Sequence, residues 1–127
     1  MRRWLIKRLA SGDVQLFVLN NTDNTADELS PIAHHADEFN FGYGGSGPAT
    51  LALTILCSYF REKATAAKLY GGELRAWPLH QDFKWSFCAG SRAHIESFEI
   101  TEKEVEQWLI KQEPSPLLQS AQITERR

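Results

Sequence analysis

Apolar positions along the chain change their period several times, and each change marks an element. Residues 4–9 and 14–19 are short apolar-rich runs on either side of Ala10-Ser11-Gly12-Asp13, a set suited to a tight turn, and they predict a β-hairpin. In the second arm Val14, Leu16 and Val18 share one face while Phe17 and Leu19 lie on the other, so cover is expected on both faces. Residues 20–26 are polar and read as a surface loop, which Pro31 and the polar stretch to Glu38 extend. Phe39 and Phe41 alternate with Asn40, as a short strand or extended entry would.

The run Phe41-Gly42-Tyr43-Gly44-Gly45-Ser46-Gly47-Pro48 then leads into a helix reaching Phe60, with Ser46 or Gly47 as its N-cap and Pro48 in its first turn. Leu51, Ala52, Ile55, Leu56 and Tyr59 form one stripe, and Leu53, Cys57 and Phe60 make the other side apolar as well. A helix apolar all round belongs in the middle of a fold. Burying four of its large side chains contributes about 6–12 kcal/mol before entropy is subtracted.

Arg61-Glu62-Lys63 brings the chain to the surface, and residues 64–70 carry helical propensity up to a stop at Gly71-Gly72. Pro78 opens a further segment in which Leu79, Phe83 and Phe87 repeat at helical spacing. Phe83, Trp85 and Phe87 also alternate like a strand, and helix is the preferred reading. Ala89-Gly90-Ser91 breaks it, residues 95–100 read as a strand, and Thr101-Glu102-Lys103-Glu104 is a capping box opening a helix over 102–111 with Val105, Trp108 and Leu109 inward. Pro114 and Pro116 end that helix, and the rest lacks periodicity. The expected fold is α+β, a small N-terminal antiparallel hairpin or sheet packed on three or four helices around a buried central helix. Residues 1–112 form the single domain and 113–127 an extended or disordered tail.

Composition narrows the function classes. The chain has 127 residues, 43% of them hydrophobic, which suits one core. A formal net charge of -2 and an isoelectric point near 6.1 argue against a dedicated nucleic-acid binder and leave DNA binding as the weakest reading. The basic residues Arg2, Arg3, Lys7 and Arg8, with Arg126 and Arg127, read as solvated ends. Cys57 and Cys88 sit in apolar patterns as reduced, buried thiols do. The first apolar run is too short for a secretion signal, and no stretch approaches the roughly 18–20 apolar residues a membrane span needs. A cytoplasmic protein is expected.

The glycine run is the candidate site. Backbone amides from Gly44 to Thr50 lie where a helix N-terminus could cradle a phosphate or carboxylate, with the hydroxyls of Tyr43, Ser46 and Thr50 as further donors and Lys84 or Arg61 to neutralise charge. The candidate ligand-binding set is therefore Tyr43, Gly44, Gly45, Ser46, Gly47, Thr50 and Lys84. The spacing is neither a Walker loop nor a dinucleotide fingerprint. Glycines that merely let a turn pack tightly explain the same residues. His34 and His35 beside Asp37 and Glu38, and His80 near Asp82, lack metal-ligand spacing. Ser46 sits where a nucleophile elbow would place its serine, but proline replaces the last glycine. No catalytic residue, metal or cofactor is assigned. Trp77, Trp85, Trp108, Phe83 and Phe87 either finish the core or anchor a protein partner.

The stretch 39–56, Phe-x-Phe-Gly-Tyr-Gly-Gly-Ser-Gly-Pro-Ala-Thr-Leu-Ala-Leu and onward, resembles the signature of a small uncharacterised domain family of bacterial, phage and plasmid proteins. Gln81-Asp82-Phe83-Lys84 and Glu106-Gln107-Trp108-Leu109 fit the same pattern, so the resemblance spans about residues 4 to 111. It carries no activity. It implies an accessory or mobile-element setting, in which small proteins act by binding, for instance as inhibitors or anti-defence factors. Two classes of function stand: a non-catalytic binding protein with a protein partner, or a small nucleotide- or phosphate-binding, sequestering domain. Oligomeric state is not legible.

Overall fold

The computed structural model describes residues 1–32, 36–65, 68, 73–90 and 95–112. Strands β1 (Arg2–Arg8) and β2 (Val14–Asn20) form the expected hairpin. Its turn closes with Leu9 N–H donating to Asp13 O at 2.7 Å, and Gly12 supplies a φ of +94° that a side chain would resist. A second turn brings the chain back as β3 (Thr25–Leu29), within and beyond the segment expected to be loop. That strand escapes pattern reading because it is a polar edge strand, with Asp27 and Glu28 where β propensity is low and most of its residues exposed. Strand β4 (Ser97–Thr101) joins the other side of β1, giving the antiparallel order β3-β2-β1-β4.

One face of this sheet carries Trp4, Ile6, Leu16, Phe98 and Ile100, and on it lie three helical segments. Helix α1 (Ser46–Phe60) is buried continuously from Gly47 to Cys57, as its all-round apolar pattern demands. The segment α2 (77–88) passes from a 3₁₀ turn at Trp77–Leu79 through His80–Phe83 to a π-helical turn at Lys84–Cys88. Helix α3 (Glu102–Gln112) starts at the expected capping box: Glu104 N–H donates to Thr101 Oγ1 at 3.1 Å, and Thr101 N–H to Glu104 Oε1 at 3.0 Å. Val105 and Trp108 point into the core, while Leu109 is half-buried. The architecture is α+β, as the pattern implies.

Several expectations shift. The N-cap of α1 is Gly45, one position before Ser46 and two before Gly47, and Phe39 and Phe41 are buried without joining any strand, which removes the strand from the two expected alternatives. Most of the helix expected at 64–70, and the whole tail 113–127, lie outside the described residues. The N-terminal basic residues belong to β1; Arg2 and Arg8 are not solvated, while Lys7 stays exposed as expected. Arg2 donates through Nε to Glu102 Oε1 at 2.9 Å and through Nη1 and Nη2 to Ser58 O and Tyr59 O at 2.8 and 3.0 Å. No basic residue occupies the last turn of α1, so Arg2 supplies from β1 the positive charge that this end attracts.

The stretch before α1 is tied to the helix by two buried threonines. Thr50 accepts from Ala36 N–H at 3.0 Å and donates to Ala36 O at 3.3 Å, and Thr54 accepts from Ile32 N–H at 3.2 Å. At the other end of that stretch Arg8 Nη2 donates to Asn40 Oδ1 at 2.9 Å and to Phe41 O at 3.0 Å, its guanidinium lying 4.0 Å from the centre of the Phe41 ring. Sheet, helix and glycine loop are thereby held in one frame.

Candidate functional site

Gly42 turns the chain with a φ of +94° and donates its N–H to Cys88 O at 2.8 Å, which fastens the loop to the last residue of the π-helical turn. The glycines that follow are each crowded on the side where a Cβ would stand. A methyl group at Gly44 would overlap the Trp85 ring, and one at Gly45 would overlap the Tyr43 ring. At Gly47 it would fall 2.6 Å from Asn40 Cβ and 3.2 Å from Asn40 N. The run is glycine-rich because two aromatic rings and a neighbouring backbone lie against it.

Lys84 reaches this loop from 40 residues away. Its side chain donates from Nζ to Gly44 O at 3.2 Å and lies 4.6 Å from the centre of the Trp85 ring, with the residue only 7% exposed. Lys84 opens the π-helical turn and is turned inward, while the next residue, Trp85, stays out. Trp85 is 62% exposed and Tyr43 49% exposed. The surface there is thus two aromatic rings flanking bare backbone.

Of the seven candidate residues, six converge: Tyr43, Gly44, Gly45, Ser46, Gly47 and Lys84. Thr50 is buried, its hydroxyl engaged with Ala36. Arg61 lies at the opposite end of α1, ~22 Å along the axis, in a left-handed C-cap conformation. Arg8 and Asn40, which hold the loop in place, were not singled out from the sequence. Nothing in their local pattern sets them apart from surface polar residues.

The amides of Ser46 and Gly47 have no acceptor among the described residues, and Pro48 has none to offer. They border a hollow of about 350 Å³ lined by Ala36, Glu38, Phe39, Asn40 and Tyr43. Glu38 brings negative charge to its wall and opposes the pull of the helix end on an anion. A neighbouring hollow of about 250 Å³ shares Glu38, Phe39 and Asn40 and adds Asp13, Glu28 and Asp37.

Among the described residues the other constellations drawn on the sequence do not assemble. His80 is buried, with Nδ1 2.6 Å from Trp77 O and its ring stacked on Trp77 at 4.6 Å, while Asp82 is exposed. His34 and His35 lie outside the described residues. Among the described residues no group of three His, Cys, Asp or Glu could hold a metal ion. The Ser46 hydroxyl has no side-chain partner there that could serve as a base. Cys57 and Cys88 are free and buried; burial, followed by the charge of Glu62, pushes the Cys57 thiol up to about 12, far from a nucleophile's range. The aromatics divide: Phe83 and Trp108 fill the core, Trp77 and Phe87 pack at its margin, and Trp85 faces solvent.

Fold and site together define a small α+β domain whose most distinctive surface is a glycine loop framed by exposed aromatics. Residues 7–111 match the profile of a family of unknown function, DUF6166, and the chain belongs to that family. No curated protein and no solved structure matches it. No described helix is long and apolar enough to cross a membrane.

Proposed function

We propose that this chain is a non-catalytic binding protein that engages a protein partner through the surface formed by Tyr43, Gly44 and Trp85. The observation that carries the reading is the exposure of two aromatic rings on either side of a loop fixed by Lys84, Arg8 and the Gly42–Cys88 hydrogen bond. Trp and Tyr are among the side chains most enriched at the positions that dominate interface energies, and a loop already fixed at its backbone spares that segment the ordering cost of binding. An inhibitor or anti-defence role, as the family resemblance implies, requires no chemistry beyond such a surface.

The test is affinity capture from the native host with wild-type protein and with Trp85→Ala, followed by titration of any captured protein in purified form. Trp85→Ala leaves the fold intact, because the ring is solvent-exposed, and weakens a purified partner by at least about tenfold, a hot-spot loss of 1.4 kcal/mol or more. A partner bound equally well by wild type, Trp85→Ala and Tyr43→Ala removes this surface from the reading.

A second reading is a phosphate or nucleotide site at the start of α1, favoured by the amides of Ser46 and Gly47, which border the hollow and have no acceptor among the described residues, and by the buried Lys84 beside Gly44. A thermal-shift titration separates the two. A ligand at 100 times its dissociation constant adds about 2.7 kcal/mol, and flat melting curves across phosphate and mono-, di- and cyclic nucleotides dismiss this reading.

A further inference from the structure

The sheet has a second face, away from the shared core. Alternation sends Trp4, Ile6, Leu16, Phe98 and Ile100 toward all three helices, and turns Leu5, Phe17 and Leu19 to the other side, where they are half-buried and take no part in the core cluster. Strand register arranges charge around them. Glu28, Phe17, Leu5 and Glu99 form one row across the four strands, and Arg3 and Lys7 flank Leu5 along β1.

With neighbouring strands about 4.8 Å apart and same-face neighbours about 6.8 Å apart, all four charged positions lie roughly 7 Å from the midpoint between Leu5 and Phe17. The acids mark the axis across the strands, and the bases mark the axis along them. A quarter turn of this pattern lays each sign on its opposite.

We propose that this face binds a second copy of the chain, with the two sheets crossed near a right angle. Crossed packing is one of the two ways sheets stack, and here it sets the apolar centres together while Glu28 and Glu99 of each copy meet Arg3 and Lys7 of the other. Aligned two-fold stacking would instead place Glu28 against Glu99 or Arg3 against Lys7, so charge selects the crossed form. Lys7 has no ion-pair partner among the described residues, and the Arg3–Glu99 contact of 3.2 Å is an exposed pair of the kind that contributes little within one chain. The face spans roughly 400 Å² per copy, against about 800 Å² for a standard stable interface, so the dimer is weak and reversible.

Sedimentation equilibrium of the full chain from about 10 to 500 µM reads it directly. The expected result is a monomer–dimer equilibrium that weakens with salt, is abolished by Phe17→Asp, and is weakened at least about tenfold by either charge-reversing pair, E28K/E99K or R3E/K7E. An equimolar mixture of those two variants, one face wholly basic and the other wholly acidic, restores association, which a folding defect could not do. A monomer at every concentration overturns the proposal. So does a dimer indifferent to these charges, or a mixture that fails to associate. Nuclear Overhauser contacts in the monomer between Phe17 and residues beyond 112 would assign the face to the chain's own tail and likewise overturn it.

Discussion

Replacing Gly47 by alanine tests the frame on which the site rests. The new methyl group would stand 2.6 Å from Asn40 Cβ and 3.2 Å from Asn40 N, well inside van der Waals contact. Asn40 cannot simply withdraw: its Oδ1 accepts from Arg8 and from the N–H of Phe41, and Arg8 also holds Phe41 O. Relief therefore requires moving a buried helix start or breaking those bonds. Overpacking of this kind costs about 1–3 kcal/mol, offset by up to about 1 kcal/mol because alanine is the better helix former. Mid-range values of about 2 and about 0.5 kcal/mol leave a net loss of about 1.5 kcal/mol, read as a fall in melting temperature of roughly 4–8 °C. Gly44→Ala is the control, since its obstacle is the Trp85 ring, which can swing into solvent; stability there should change by less than about 0.5 kcal/mol. Thermal and urea denaturation of the three proteins decide the matter. A Gly47→Ala protein as stable as wild type would refute the close approach of loop and helix.

The Arg2–Glu102 pair gives stability a pH dependence. Burial raises the Glu102 carboxyl, but the hydrogen bonds from the Arg2 backbone and guanidinium, together with its charge, outweigh that and hold it below the ordinary glutamate value. A depressed carboxyl contributes stability that is present above the unfolded value of about 4.3 and is lost as pH falls through the folded value. Acid titration of wild type and Glu102→Gln should therefore show a difference that shrinks below about pH 4.3. Thr50→Val keeps the shape but removes the bonds to both backbone groups of Ala36, and should cost about 1–3 kcal/mol in urea denaturation; a neutral change would show that water replaces the hydroxyl there. Cys57, buried and with its thiol near 12, should resist alkylation in the native protein at pH 8 and react once unfolded, as mass spectrometry after iodoacetamide treatment would reveal; rapid native labelling would contradict its burial.

Local rules were enough for much of this protein. Gly12 marked the hairpin turn, the unbroken apolar run after Pro48 marked the buried helix, and Thr101 with Glu104 marked the start of α3, because each depends on neighbours within a few residues. The glycine run was recognisable as a close approach, but what approaches it was not. Trp85 and Lys84 reach the loop across some 40 residues, and a π-helical turn in which one side chain buries and the next is exposed has no periodic trace. Strand β3 was likewise invisible, since an edge strand facing solvent needs no apolar alternation and is specified by its hydrogen bonds to β2. Arg2 and Arg8 of β1 read as part of a solvated run until their partners, Glu102, the α1 carbonyls and Phe41, were in place. Sequence alone settles what a residue does with its neighbours along the chain. Chain closure brings distant groups together, and only then does a charge or a ring acquire the contacts that give it a role.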